Sequence, residues 1–318
     1  LLIGASVLLL VGCNTHQSAL APFGVEARET YWLTWSLSAG AVLIALLVAV
    51  LAWRATHSSE GALNHKQGMQ LVLWLGGVFP TVVLTGLLLF ALPQMRPMAA
   101  ASNDLTIRVE GEQFWWHVQY EDGTRTPLLA ANEVRIPVGR TVVFDLTATD
   151  VIHSFWIPGL AGKMDMIPGR TNRLVVKAEK AGTYRGVCTE FCGLSHALMA
   201  FDVIAMEPDA FDAWLEAARR PVKAASRTTS GAKLFSDYGC NACHAVRGTE
   251  HDARIGPDLS RYGTRASLGA GTLEPTAENT AAFIRDADAF KPGARMPSYP
   301  SMPADHARAI AAWLKELK

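Results

Sequence analysis

The stretch CTEFCGLSHALM, Cys188 to Met199, places two thiols, a carboxylate, an imidazole and a thioether within twelve residues. Thiolate, imidazole and thioether are the ligand set that holds copper in electron-transfer sites, the thioether as a weak axial donor. The plainer reading is a Cys188–Cys192 disulfide in an exported domain. A second cluster, CNACH, reads Cys240-x-x-Cys243-His244. In this pattern two thiols attach covalently to a haem c and the adjacent imidazole ligates its iron. A zinc site would need two further ligands nearby, and a thiol-disulfide motif would need a βαβ context; neither is present.

The chain has five cysteines. Cys13 belongs to the leader, and Cys240 and Cys243 to the haem motif, which leaves Cys188 and Cys192. A disulfide would account for these two alone. A copper site also accounts for His196 and Met199 on the same loop, and for His153 at the end of the upstream run VVFDLTATDVIHSFW. One cysteine would hold one copper. Two bridging thiolates, each copper capped by one histidine, use every residue, with Met199 and the Glu190 backbone carbonyl as weak outer ligands. His117, His251 and His306 lie in no such constellation and read as surface residues.

The elements that must position these groups fall into separate blocks. The opening LLIGASVLLLVGCN, residues 1–13 up to Cys13, has the form of the end of a bacterial lipoprotein signal, in which small residues before a cysteine permit cleavage and acylation of its thiol. A plain signal with an incidental cysteine is the alternative. Residues 31–53 and 69–92 carry no charge and match the ~20 residues that cross a bilayer as a helix, so they read as a transmembrane hairpin. Tyr31, Trp32, Trp35 and Trp53 suit an aromatic belt, and Arg54 and Lys66 fall in the connecting loop. Arg28 and Arg96 on the other side make this bias weak, but it agrees with an outside N-terminus and an extracytoplasmic C-terminal part.

From 103 to 206 the pattern changes to short strands, DLTIRVE, EVRIPVG, TVVFDLTATD, NRLVVKAE and MAFDVIAM, separated by Gly, Pro and Asp turns, which predicts an all-β sandwich or barrel. Residues 207–229 hold a helix, with Phe211, Trp214, Leu215 and Ala218 at helical spacing, and then a small, polar, basic linker. Residues 230–318 read as a small all-α domain. Thr276 is a candidate N-cap there, and Ala307, Ile310, Ala311, Leu314 and Leu317 line one face of the last helix.

Within that domain, GPDLS after the haem motif and ARMPSYPSM before the final helix resemble the class I cytochrome c family. The resemblance implies that the Gly-Pro segment packs beside His244 and that a Met-Pro methionine is the sixth iron ligand. Met296 fits that role and Met302 is the rival. Further upstream, VIHSFWIPGLAGKMDMIPGR with GTYRGVCTEFCGLSHALM is similar to subunit II of haem-copper cytochrome c oxidases, in the form whose subunit II carries its own cytochrome c. The resemblance runs from the hairpin to about Met206.

What this implies is a multidomain membrane protein: a two-helix transmembrane hairpin, an all-β cupredoxin-like sandwich and an all-α cytochrome c domain. The implied dinuclear copper ligands are His153, Cys188, Glu190, Cys192, His196 and Met199, and the Glu190 side chain would reach a magnesium ion at the subunit I interface. Haem c would be held by Cys240 and Cys243, with His244 and Met296 on the iron. Implied partners are oxidase subunits I and III, membrane lipid, and a cytochrome or membrane-complex electron donor, in the bacterial inner membrane. Electrons would pass from haem c to copper and on to subunit I, where oxygen becomes water.

Two positions depart from the family pattern. Many members carry a Trp-Tyr-Trp run where a soluble cytochrome delivers electrons; GEQFWWHVQY has Phe114, Trp115 and Trp116 instead. Many also carry a glutamate near the start of the second transmembrane helix, and QGMQLVLWLGGVFP has none. The zero net charge carries no sign of nucleic-acid binding. A lipid-anchored copper donor is the alternative from another class, and would need exposed, exchangeable ligands. A nitrous oxide reductase would need a histidine-rich catalytic domain, which nine mostly scattered histidines do not build.

Overall fold

A computed structural model describes residues 15–59, 61–94, 96, 98–121, 123, 127–221 and 229–318. Cys13, the expected lipidation site, lies outside the described residues. Two bodies are present, one formed by residues 28–98 and one by residues 1–27 with 99–318.

The first body is helical. One helix spans Val25–His57, and a second run continues through His65–Leu71, Val72–Val78 and Phe79–Gln94. Both are long and apolar enough to cross a membrane. Their leucines and valines face outward, as expected where the surroundings are as apolar as the side chains. The Val72–Val78 segment is a π-helix. Pro80 has no N–H with which to continue the i→i−4 ladder, a local cause for the change of pitch. Arg54 and Lys66, expected in the loop, instead sit on the helix ends that flank it.

The second body begins with a sandwich of two five-stranded sheets, ordered β3-β2-β1-β5-β8 and β4-β10-β9-β6-β7. The strands are β1 Leu105–Glu112, β2 Trp115–Glu121, β3 Leu128–Ala131, β4 Glu133–Pro137, β5 Val142–Ala148, β6 His153–Trp156, β7 Met164–Met166, β8 Asn172–Val176, β9 Gly182–Cys188 and β10 Ala200–Met206. Strict alternation builds the core: Leu105, Ile107 and Val109 on β1 and Trp116, Val118 and Tyr120 on β2 point inward. The rings of Trp116, Phe155 and Phe201 pack against one another between the sheets.

The helix Pro208–Arg219 follows, anchored by buried Phe211 and Ala218, while Arg135 lies over the Trp214 ring. The helical domain then comprises Ser230–Asp237, Ala277–Arg285, Ala287–Phe290 and Ala304–Glu316. Thr276 caps its helix as expected, its hydroxyl accepting from Asn279 N–H at 3.1 Å. Ala307, Ile310, Ala311, Leu314 and Leu317 are all buried.

This helical domain packs directly on the sandwich. Arg247 and Arg261 donate to the Ala218 and Ala217 carbonyls, at the helix C-terminus where a cation meets the negative end of the dipole. Gly269, Ala270 and Gly271 all take positive φ, which lets their loop press on the start of β10. Ala200 N–H donates to Ala270 O at 3.0 Å, and a Cβ on Gly271 would stand only 3.0 Å from that of Ala200.

Candidate metal centres

The soft-ligand loop hangs between two neighbouring strands of one sheet. Cys188 ends β9 and β10 begins at Ala200, and Cys188 N–H donating to Met199 O at 3.0 Å closes the loop at its base. The sequence pattern puts His153 at the end of a strand, but β5 stops at Ala148 and His153 opens β6 instead. Thr149 N–H is drawn to Gly111 O and Asp150 turns the chain, which aims the His153 ring across the sheet end at Cys188. Gly111 makes the room: a Cβ there would lie 2.9 Å from the ring.

Cys188 and Cys192 are free thiols with their sulfurs 3.8 Å apart, far beyond the ~2.05 Å of a disulfide. His153 Nδ1 stands 3.9 Å from Cys188 Sγ and His196 Nδ1 3.5 Å from Cys192 Sγ. Met199 Sδ lies 3.9 Å from Cys192 Sγ, and the Glu190 carbonyl 3.3 Å from Cys188 Sγ. His153, Cys188 and Cys192 all present ligand atoms within 4.8 Å of one another. Cys188 and Cys192 are only 6% and 4% exposed. Hydrogen bonding from Cys192 holds the Cys188 thiol well below its ordinary range, and that bond, together with burial, pushes Cys192 up. Such a pair gives up its first proton readily and needs a cation to release the second. A buried pair of thiols flanked by two imidazoles, a thioether and a carbonyl fits copper by donor type.

Asp150 supports this cluster from outside. Its Oδ1 is 3.0 Å from His153 Nε2, which leaves Nδ1 as the atom facing the sulfurs. Burial alone would raise the Asp150 carboxyl, but hydrogen bonds from Gln113 N–H, His153 and Val151 N–H outweigh it and hold the group below its ordinary value. The Glu190 carboxylate is half-exposed and 3.9 Å from Lys163, outside the sulfur cluster.

In the helical domain, Cys240 and Cys243 flank a single 3-10 turn, Cys240–Ala242, and both thiols are free and half-buried. His244 follows, with Nδ1 2.8 Å from the Pro257 carbonyl. That bond fixes Nδ1 as the donor and leaves Nε2 for iron, and burial lowers the imidazole pKa so that it stays neutral. A Cβ at Gly256 would lie 2.7 Å from the His244 ring, which is why Gly-Pro must stand beside it. This donor set fits a covalently held haem. Met296 is half-buried and packed against the domain core from its edge, whereas Met302 is 2% exposed and packed inside that core.

Phe114, Trp115 and Trp116 have three different fates. Trp116 is in the sandwich core and Trp115 is half-buried against the His117 ring. Phe114 is 5% exposed, and hypothetical Cβ atoms on Gly193 and on Gly293 would lie 3.1 and 3.3 Å from its ring. It is thus covered by the copper-type loop on one side and by the helical domain on the other. Gln113 beside it donates from Nε2 to Cys192 O at 2.5 Å. The three histidines expected at the surface are half-buried: His117 packs tilted against the Trp115 ring, His251 bonds Ser236, and His306 bonds Tyr238 at 2.8 Å. Residues missed from sequence are Asp150, whose only local signal is its place three residues before His153, and Gly111, which carries none; the Gly256-Pro257 segment stands beside His244 as the resemblance implied.

Two membrane-length helices, a cupredoxin-like sandwich with a soft-ligand loop and a cytochrome c-type helical domain define a membrane-anchored electron-transfer protein. Residues 121–206 match the family described as cytochrome c oxidase subunit II, periplasmic domain, and residues 228–318 match cytochrome c. Cytochrome c oxidase subunit 2 of Alkalihalophilus pseudofirmus is 36% identical over 98% of this chain and 94% of its own length. That of Bacillus subtilis is 30% identical over 100% of this chain and 97% of its own. The periplasmic domain of subunit II of cytochrome oxidase from Bradyrhizobium japonicum is 33% identical, covers 38% of this chain and 97% of that domain, and gives a TM-score of 0.36. The chain belongs to the cytochrome c oxidase subunit 2 family, in the form with a fused cytochrome c domain. It is the electron-transfer subunit of an oxidoreductase complex, binds haem c and copper, and is membrane-anchored with an extracytoplasmic domain.

Proposed function

We propose that the chain carries electrons from its own cytochrome domain to a dinuclear copper centre on the 188–199 loop, and on to subunit I, where oxygen is reduced to water. The observation that carries this reading is the seating of the helical domain on that loop: Ser195 Oγ donates to Pro292 O at 2.7 Å, beside His196 on one side and four residues before Met296 on the other. Copper and haem iron, when bound, supply one-electron redox chemistry. The chain's residues supply position and environment. Cys188, Cys192, His153 and His196 would hold the copper, with Met199 and the Glu190 carbonyl as further, weaker donors. Asp150 fixes the His153 tautomer, as Pro257 O fixes that of His244. Cys240 and Cys243 would attach the haem, and His244 and Met296 would ligate its iron.

The Glu190 carboxylate is assigned to a magnesium ion at the subunit I interface, and subunits I and III complete the complex in the bacterial inner membrane. Cys13 is assigned as the acylated residue. The first electrons come from a cytochrome or a membrane complex. The burial of both copper thiols argues against a copper donor, whose ligands must exchange.

Phe114 is assigned to the internal junction, since the chain's own haem domain covers it. A soluble cytochrome then finds that surface occupied. Deleting residues 230–318 in the assembled oxidase leaves the copper spectrum intact and nearly abolishes turnover with a soluble cytochrome donor. Tethering keeps the haem domain at an effective concentration in the roughly millimolar range, which a free donor must match by mass action. Full turnover of the truncated oxidase at ordinary donor concentration refutes this route.

A further inference from the structure

The segment Lys291 to Arg295, immediately before Met296, runs along the copper-type loop and contacts it repeatedly. Pro292 O accepts from Ser195 Oγ. Gly293 has φ +78, and a Cβ there would stand 3.3 Å from Phe114 and 3.4 Å from Leu194. Arg295 pairs with Glu112 and, at 3.5 Å, with Asp150, the carboxylate that holds His153. Arg295 is 60% exposed on its side chain, so those pairs are screened and weak.

Lys291 is different. The residue is 4% exposed, and among the described residues no carboxylate pairs with it. Lysine is almost never fully buried without a partner. Here the ammonium is held by backbone oxygens from two domains: it donates to Leu198 O at 2.9 Å and to Gly269 O at 2.6 Å. Leu198 lies in the turn between His196 and Met199 on the sandwich side, and Gly269 in the loop that presses on β10 from the helical side. Thr272 Oγ1 reaches the same two carbonyls, at 3.4 and 2.7 Å, so the oxygens form one small polar knot at the domain boundary. Burial pushes the Lys291 amine down to about 7, against which the negative field of Cys192 and the two carbonyl acceptors favour the charged form. That form makes stronger hydrogen bonds than the hydroxyl can, and burial excludes the water that would compete.

We propose that Lys291 is a positioning residue for electron transfer: its ammonium ties the haem domain to the His196–Met199 turn and so fixes the separation of the two metal centres. The proposal rests on the reading of the 188–199 loop as the copper site. It acts through geometry, and Lys291 touches neither metal.

The test uses the assembled, metal-loaded oxidase with Lys291→Met, of similar length but without charge, and Lys291→Arg, which keeps the charge. After rapid reduction of haem c, the rate of haem reoxidation into copper is followed with the visible haem band and the near-infrared copper band. Lys291→Met keeps both bands and the haem potential but transfers at least about 10-fold more slowly, the size expected from losing one charged hydrogen bond between the domains. Lys291→Arg retains more of the rate. A purely structural role would lower thermal stability without slowing transfer. Wild-type transfer in Lys291→Met overturns the proposal, and so does loss of its copper band, since Lys291 would then support the metal site itself. Absence of a copper band in the wild-type protein defeats the underlying site reading as well, and is distinguished by that control. If Lys291→Met does not accumulate, amine acetylation of the wild-type protein decides the matter. Lys291 must resist a reagent that modifies Lys233, whose side chain is 78% exposed, and equal labelling overturns the proposal.

Discussion

Cys192→Ser removes the copper and, with it, more than about 100-fold of oxidase turnover, because changes merely outside the ligand set already cost roughly 10–100-fold in metal affinity or activity. The replacement is nearly the same size, so the loss is one of chemistry. A serine hydroxyl is a hard donor that stays protonated, whereas Cys192 Sγ sits 3.8 Å from Cys188 Sγ, 3.5 Å from His196 Nδ1 and 3.9 Å from Met199 Sδ. It lies within 4 Å of three other soft ligands. The haem band is unaffected, since Cys240, Cys243 and His244 lie in the helical domain, whose core is separate from the one that holds Cys192. The check is copper content and near-infrared absorption of the purified oxidase beside its visible spectrum. A variant that keeps two coppers per chain removes Cys192 from the ligand set.

Met296→Ala leaves the haem covalently attached but without its sixth ligand, so the weak far-red charge-transfer band of Met-ligated ferric haem disappears and the potential falls, since a His/Met pair raises it. Met302→Ala acts differently. Met302 is packed inside the helical core with Ala307, Ile310 and Leu314, and removing it costs about 2–5 kcal/mol of stability while the band remains. The two variants are compared by ferric spectrum, haem potential and thermal melt. The reverse pattern, with the band lost in Met302→Ala, transfers the ligand to Met302.

Most of the chemistry is written locally and is therefore legible in the amino-acid sequence itself. Cys188, Glu190, Cys192, His196 and Met199 fall on one loop, and Cys240, Cys243 and His244 on one turn, so spacing alone brings them together. The fold class is legible for the same reason: β1 alternates strictly, β5 opens on a β-branched apolar run, and the last helix keeps its apolar face. Strands β6 and β7 are not, because they are four and three residues long and the first begins on a ligand.

What sequence hides is long-range. Asp150 can be suspected only as a neighbour of His153, and nothing in Gly111 announces that the His153 ring fills the space above it. Nothing local to Lys291 announces its burial, because Leu198, which meets it across the domain boundary, lies 93 positions earlier. Phe114 reads as a departure from a family motif; only the approach of Gly193 and Gly293 explains a ring shut between two domains. The haem domain reads as a separate unit on a polar linker because its contacts, such as Arg261 to Ala217 and Ser195 to Pro292, use backbone oxygens that carry no sequence signal.

The measurement that bears most directly on the central claim is a single-turnover experiment on the purified oxidase. Haem c is reduced rapidly, and its reoxidation is followed together with bleaching of the near-infrared copper band over a range of protein concentrations. Electron transfer within one docked chain predicts that the two signals change together, with one rate constant that does not depend on concentration. Reoxidation of haem that scales with protein concentration, or that proceeds without any change in the copper band, would contradict it.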